Sequence, residues 1–587
     1  MWWANFERMT RTGALSPHSR DLAIGAMVGA AGEPELDVLV VGGGVTGAGV
    51  ALDAVTRGLS TGLVEQRDLA SGTSSRSSKL VHGGLRYLEM LDFELVREAL
   101  QERGLLLNTL APHLVRPVPF LYPLTNPVWE RFYIGSGLAL YDGMASFGPL
   151  SGMGNSGLPR HRHLTRKGVA RIAPDFNTDT ITGAIQYYDA QVDDARLVMT
   201  IARTAASHGA QIATRVQVTG FLREGERVVG VRARDLEHDQ DLVIRAKTVV
   251  NAAGVWTDDI QAMVGGRGAL HVKASKGIHL VVPRDRIRSE SGFIVRTEKS
   301  VLFVIPWGRH WIIGTTDTPW TYDLAHPAAS KTDIEYVLEH VNAILRVPLD
   351  LEDVEGVYAG LRPLLTGESD QTAALSREHT VVTPLPGLVL IAGGKLTTYR
   401  VMAKDAVDAA AHSLGTTTNM TLRDSITDKV RLVGAEGFET RSNQRVLLAR
   451  RSGLHVARID HLLGRHGGLI DDVLDLIAQR RPLALPLEGA EDYLAAEVVY
   501  AVNSEGARHL DDVLERRTRI SMETFDRGVS AAPGVAKLMA DELGWDEQRA
   551  KEEVDHYLRR IEAERRSQLM VTDEDADRAR LEVEDLV

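Results

Sequence analysis

LDVLVVGGGVTGAGVALDAVTRGLSTGLVE, residues Leu36 to Glu65, compresses a buried strand, a glycine turn, a helix and a second strand into one unit. Leu36 to Val41 is an apolar run of strand length, and Gly42, Gly44 and Gly47 fall on the GxGxxG positions at its carboxyl end. The first glycine permits a sharp turn. The second lets a pyrophosphate approach the backbone, and the third lets the helix pack close to the sheet. The helix amino terminus, entered through Val45 and Thr46, offers unpaired N–H groups and a positive dipole end to an anion. Glu65, ending the second strand just before Gln66, can accept from a ribose 2′-hydroxyl and repels a 2′-phosphate. The unit therefore predicts an unphosphorylated adenosine dinucleotide, FAD or NAD.

A chain of 587 residues is long enough for about three domains. A net charge of −12 excludes non-specific nucleic-acid binding, which needs a basic footprint. The absence of cysteine excludes disulfides, thiolate metal sites, thiol nucleophiles and a sulfur-linked flavin. No metal site is expected. No stretch reaches the roughly 18 apolar residues of a membrane span, and neither MWWANFERMTR nor Leu22 to Gly32 has the order of an export signal. Trp2, Trp3, Phe6 and Met9, with Arg8 and Arg11, suit an arm docked on the protein or a contact at a membrane interface. Asp573 to Asp585 carries seven acids against Arg578 and Arg580, which predicts a solvated tail.

After the cradle, Ser71, Thr73, Ser74, Ser75, Ser77 and Ser78 are too dense in hydroxyls for a helix interior. They suit a loop around a polar ligand, leading through Lys79, Leu80, His82, Gly83 and Gly84 toward an amphipathic helix. Phe93 to Phe147 reads as helical with proline interruptions, and a capped helix starts at Asp193 or Asp194. Gln211 to Leu222, Arg227 to Arg234 and Asp241 to Ala246 alternate as antiparallel strands, and Thr248 to Ala252 is a buried strand ending in Ala253 and Gly254. Further strands cover His271 to Trp307 and a stretch from Trp311 to Asp317. Leu388 to Arg400, LVLIAGGKLTTYR, repeats the opening logic: a buried strand reaches Gly393 and Gly394, Lys395 and Leu396 sit at the turn, and a helix follows from about Thr397 and Thr398. Helical periodicity dominates from Asn443 to Gln568, which predicts an independent helical domain.

Two separated patterns, VGGGVTGAGVALDAVTRG at Val41 to Gly58 and GGKLTTYRVMA at Gly393 to Ala403, resemble the FAD-dependent glycerol-3-phosphate dehydrogenases. TSSRSSKLVHGGLRYLE at Thr73 to Glu89 is similar to that family's flavin loop, and VDDARLV, IGTTD, GLRPLL and EGARHLDDVLERRTR extend the resemblance to Arg519. It implies an α/β fold with a Rossmann-like FAD-binding domain of the D-amino-acid-oxidase type, interleaved with a β-rich substrate domain and followed by a C-terminal helical domain. The expected division is an extension over 1–35, FAD-binding parts over 36–105, 187–256 and 355–420, and substrate parts over 106–186 and 257–354. A helical domain over 421–570 and the acidic tail over 571–587 complete it.

The reaction implied by the resemblance is oxidation of sn-glycerol 3-phosphate to dihydroxyacetone phosphate, with the C2 hydride moving to N5 of a non-covalent FAD and electrons passing to a quinone. The rivals are an oxygen-using glycerol-3-phosphate oxidase and an amine or amino-acid oxidase on the same fold. The resemblance also implies a cytoplasmic enzyme, with attachment to the inner face of the cell membrane and a homodimer left open. The chemistry asks for a base at the C2 hydroxyl, cations for the phosphate and a dry ring. Arginine suits phosphate because its planar fork donates in pairs. The candidates are Arg86, Arg362 and Arg377, with Tyr87 as a further donor. Lys395 with Arg362, and then His279, are the candidates for base and alkoxide stabiliser. Asp53 and Arg57 are expected to pair with each other along one helix.

Overall fold

The computed structural model describes residues 13–29, 35–84, 93–126, 131, 135, 158–265, 270–297, 301–365, 378–418 and 423–586. Strand Leu36–Val41, buried along its length, pairs in parallel with Thr61–Glu65 on one side and with the carboxyl half of Gln240–Asn251 on the other. Leu388–Gly393 and Gln211–Thr214 continue this parallel sheet outward. Buried on both faces, such strands read as continuous apolar runs, which is why the sequence marks them clearly. The two strands expected over 241–246 and 248–252 are one. Its amino half pairs antiparallel with Arg227–Asp235, and its carboxyl half turns parallel beside the cradle.

Helix Val45–Thr56 packs between Asp194–Ser207 and Tyr399–Thr418. A Cβ on Gly49 would stand 3.0 Å from the Tyr399 ring and 3.1 Å from Ala403 Cβ, so a larger residue there would force the helices apart. Helix Asp194–Ser207 starts where its sequence predicts, with the Asp193 carboxylate accepting from the Arg196 amide at 3.2 Å. Asp53 and Arg57 pair at 2.6 Å, as their spacing predicts.

The second sheet has ten strands among the described residues, and its long central strand is Val272–Pro283. Gly356–Leu365 lies along that strand, so the second sheet takes ten residues that the expected division assigns to the FAD-binding part. Arg116–Leu124 also belongs to this sheet, where the sequence predicts helix. Pro117, Pro119 and Pro123 break a helical reading, yet with a period of two they place all three missing N–H groups on the same strand edge. The antiparallel partner Gly183–Gln191 runs the full length of the strand, whereas the parallel partner Gly292–Arg296 is paired only at Phe120 and Leu121.

The C-terminal helices, among them Val456–His466, Ala495–Glu505, Ala532–Leu543 and Glu547–Ser567, share an apolar core of their own. A short ribbon of Pro486–Leu487 with Ala490–Leu494 interrupts them inside the stretch that reads as helical. The domain is also tied to the rest of the chain by buried ion pairs. Arg516 and Arg517 both reach Asp68 at 2.6 Å, and Arg196 holds Glu505 at 2.6 Å, with all of these side chains buried. Within the extension, Pro17–Val28 is a helix opened by a Ser16 capping box and tied by Arg20 to Asp235 at 2.5 Å. The acidic stretch is not a solvated tail: Asp573–Arg580 is a docked helix with Ala576 fully buried.

Candidate functional site

At the carboxyl ends of the parallel strands a cleft opens, lined by Gly42, Gly44, Val45, Thr46, Glu65, Gln66, Thr73, Ser74, Ser77, Gly254, Gly393, Gly394, Lys395 and Leu396. The glycine turn is shaped by close approach. Gly42 has φ +112°, and a Cβ on it would lie 2.7 Å from the Ala252 carbonyl oxygen. One on Gly47 would overlap the Gly42 carbonyl oxygen at 1.8 Å. Gly44 has no side chain to cap the helix, and the Ser74 hydroxyl does so from the following loop, accepting from the Val45 amide at 3.0 Å.

Each oxygen of Glu65 accepts from one backbone amide, Gly43 at 2.6 Å and Arg67 at 2.8 Å. Burial pushes its pKa up while these two amides pull against it. Each oxygen keeps a lone pair for a ribose hydroxyl. Glu65→Ala is expected to weaken FAD binding roughly tenfold or more, the size of a lost hydrogen bond to a charged group, as measured by flavin titration of the apoprotein. Unchanged affinity would remove the ribose contact. On the opposite wall, Gly393 and Gly394 both have positive φ. A Cβ on Gly393 would meet the Glu378 carbonyl oxygen at 2.6 Å. The Thr397 hydroxyl ties this turn to the His82 carbonyl oxygen at 3.2 Å.

The serine loop crosses one face of the ten-stranded sheet. Ser275, Gly277 and His279 alternate onto a single face of Val272–Pro283, opposite Arg362, Gly360 and Tyr358 of the neighbouring strand. A Cβ on Gly360 would strike the Arg76 carbonyl oxygen at 2.4 Å, so glycine lets the loop lie flat there. The Thr73 hydroxyl donates to the Leu361 carbonyl at 2.7 Å, and the Tyr358 hydroxyl donates to the Ser77 carbonyl at 3.0 Å. Ser78 Oγ stands 2.8 Å from His279 Nε2, and the His279 ring stacks on Tyr358 with centroids 4.7 Å apart. Arg362 leans across Gly277, where a Cβ would come within 2.5 Å of its guanidinium. It is fixed by Asp317 at 3.4 Å and by Thr315 Oγ1 and the Thr316 carbonyl oxygen at 3.1 Å each.

Burial, with the charges of Arg362 and Lys79, holds the His279 pKa well below its ordinary value. His113, lowered to about 3 by burial and Arg196, and His466 are likewise neutral in the fold. In the unfolded chain these imidazoles protonate near pH 6.5. Below that pH the unfolded state binds protons that the native state does not, so stability falls as pH drops, by about 1.4 kcal/mol per unit for each group. His509, raised to about 9 by Glu237 and Glu553 against burial and Arg215, stays protonated in the fold through this range and offsets only a small part of the loss, until the unfolded imidazole is protonated too. Urea midpoints at pH 6.5 and 5.5 are expected to show the loss, and equal midpoints would contradict it.

Several sequence candidates sit elsewhere. Lys79 turns its side chain away from the cleft, because its fully buried ammonium pairs with Asp194 at 2.7 Å and donates to the Ser75 carbonyl at 3.0 Å. Gly47, Ser75, Ser78, Leu80, His82, Thr397 and Thr398 are not among the residues that line the cleft. Arg86, Tyr87 and Arg377 lie outside the described residues. Residues that sequence reasoning missed include Arg67, Val216, Val218, Trp256, Pro363 and Met402. Arg67 beside Glu65 and Trp256 beside Gly254 carried a neighbourhood signal. Val216 and Val218 carried none, because the topology alone brings their strand to the cleft.

The cleft, open at the glycine turn and polar at its serine wall, fits FAD. A family model described as FAD dependent oxidoreductase matches residues 37–407, and one described as the C-terminal domain of alpha-glycerophosphate oxidase matches 425–550. Fold and cleft thus define an FAD-dependent oxidoreductase. The chain is similar to glycerol-3-phosphate dehydrogenase 2 of Mycobacterium tuberculosis, 54% identical over 567 residues, which cover 97% of this chain and 94% of that protein. The mitochondrial glycerol-3-phosphate dehydrogenase of Mus musculus is 37% identical over 550 residues, 90% of this chain and 73% of its own. Among solved structures, the glycerol-3-phosphate dehydrogenase of Bacillus halodurans complexed with FAD matches with a TM-score of 0.75 at 30% identity, covering 93% of this chain and 98% of that one. The chain belongs to the FAD-dependent glycerol-3-phosphate dehydrogenase family.

Proposed function

We propose that this chain oxidises sn-glycerol 3-phosphate to dihydroxyacetone phosphate and delivers the electrons to a quinone. The observation that carries this reading is Arg362, fixed on the sheet face beside neutral His279, with Pro363 and Ser77 linking that face to the cleft lining. FAD, held without a covalent bond by the glycine cradle, Glu65 and the Gly393–Gly394 turn, supplies the acceptor for the two electrons and the hydrogen leaving C2. Arg362 offers its planar fork to the phosphate or to oxygen charge developing at C2. His279, neutral near pH 7, has the protonation state of a base for the C2 hydroxyl proton. Lys395, on the cleft wall, is the second candidate for that role, and Arg86, Tyr87 and Arg377 complete the proposed phosphate set. A histidine base of lowered pKa gives a rate that falls only at acid pH, whereas a lysine base gives a rate that goes on rising above neutrality until the ammonium loses its proton.

Oxygen is the alternative acceptor, favoured by the alpha-glycerophosphate oxidase named in the C-terminal family match. Turnover in air with a quinone-like dye decides between them. Dye reduction with little peroxide is expected, and peroxide equal to substrate consumed would replace the quinone with oxygen. Among the described residues no helix is long and apolar enough to cross a membrane, and no cluster of His, Asp and Glu is placed to hold a metal. A quinone acceptor would be met by docking at the inner face of the cell membrane.

A further inference from the structure

We propose that the acidic segment 573–585 is a retention element for FAD, with Asp585 holding Arg67 against the Trp256 wall of the dinucleotide cleft and helix Asp573–Arg580 backing that wall. The inference rests on the FAD assignment and not on the substrate. Arg67 and Trp256 both line the cleft beside Glu65. The Trp256 ring lies against Gly72, where a Cβ would come within 2.9 Å of it, and the Arg67 guanidinium sits 5.7 Å from the ring centroid. The Arg67 amide is one of the two that orient Glu65. Arg67 thus joins the ribose-binding carboxylate to the aromatic wall.

Asp585 fixes Arg67 from outside. One of its oxygens stands 3.2 Å from Arg67 Nε, and the other is 2.6 Å from His326 Nε2 and 3.5 Å from Arg560. Arg560 also donates to the Val583 carbonyl at 2.8 Å, which holds the segment in register. The helix contributes independently. Ala576 is buried in one apolar cluster with Val255, Trp320 and Leu361, against which Trp256 packs, so the helix lies directly behind the cleft wall. Asp573 pairs at 2.5 Å with Lys276, whose side chain is fully buried, and Asp577 accepts from the Asp323 amide at 3.2 Å.

Charge complementarity explains why so acidic a stretch folds. Its carboxylates meet Lys276, Arg67 and Arg560, and its one fully buried residue is a small apolar one. Arg67 and Trp256 both line the cleft beside Glu65, so an arrangement that holds the two in place would slow FAD release more than it speeds entry.

The test is FAD release from resting holoprotein, followed by the recovery of flavin fluorescence on dilution, without substrate. A failure of the glycerol-phosphate reading therefore leaves the result untouched. Asp585→Asn is expected to release FAD roughly 3- to 10-fold faster at low salt, and the difference should shrink as salt screens the pair in the wild type. Arg67→Gln combined with Asp585→Asn should be no faster than Arg67→Gln alone. A chain lacking the segment leaves Lys276 with Asp333 alone and serves only as the extreme case, since it can fail to fold. An unchanged release rate in Asp585→Asn overturns the proposal, including when the apoprotein melts earlier, because that pattern marks a brace for the fold alone.

Discussion

Arg362→Ala is expected to keep its flavin and to lose kcat/KM for sn-glycerol 3-phosphate by roughly 10²- to 10³-fold. The magnitude is that of removing one charged partner from a desolvated hydrogen-bonded pair, about 3–4 kcal/mol. The separation of effects follows from position. Arg362 is anchored by Asp317, Thr315 and Thr316 on the sheet face, away from the glycine cradle and from Glu65. Its removal leaves the adenosine contacts intact. Arg362→Lys keeps the charge but loses the planar fork, and should recover only part of the rate. Lys395→Ala should also retain flavin while turnover collapses. Steady-state kinetics beside the flavin-to-protein absorbance ratio check both. Loss of flavin from both variants would show that these residues hold the cofactor instead.

Asp194→Ala is expected to destabilise the fold by about 3–5 kcal/mol, because it takes the carboxylate from buried Lys79 and one of the two carboxylates, Asp193 and Asp194, that hold Arg519. Asp194 accepts Lys79 at 2.7 Å and Arg519 at 2.5 Å, and it also receives the Ser77 amide at 3.0 Å and the Ser77 hydroxyl at 2.7 Å. One carboxylate therefore fixes the serine loop to the helix behind it and to the C-terminal domain. Flavin should dissociate before the chain unfolds, because Ser74 and Ser77 stand on that loop. Thermal melts followed by flavin fluorescence and by circular dichroism separate the two events. A single coincident transition at the wild-type temperature would contradict the hub.

The parts legible in the sequence are those in which local chemistry and tertiary role coincide. Gly42 and Gly47 are required by contacts within a few residues or with the adjacent strand, and a Cβ on Gly44 would meet only the Ser74 hydroxyl of the following loop, so the spacing of the first and third announces the turn. Asp193 caps its own helix. Arg362 stands in GLRPLL, although nothing local predicts that Gly277 leaves it room to lean across the sheet face. The illegible parts depend on partners far along the chain. Strand Arg116–Leu124 hides behind three prolines whose missing N–H groups matter only once the neighbouring strands are known. The acids after Asp573 read as a solvated run because Lys276, Arg67 and Arg560, which neutralise them, are hundreds of residues away or on another helix. The arginines of 516–519 lie in EGARHLDDVLERRTR, where nothing nearby in sequence names their partners. Their carboxylate partners Asp68, Asp193 and Asp194 come from the flavin side of the molecule.

Anaerobic addition of sn-glycerol 3-phosphate to the purified holoprotein tests the central claim most directly. The oxidised flavin absorbance should bleach fully within the time of turnover, and dihydroxyacetone phosphate should form in a one-to-one ratio with flavin. An unbleached flavin under these conditions, with bleaching by sarcosine or a D-amino acid instead, would contradict the assignment and move the chain to amine oxidation on the same fold.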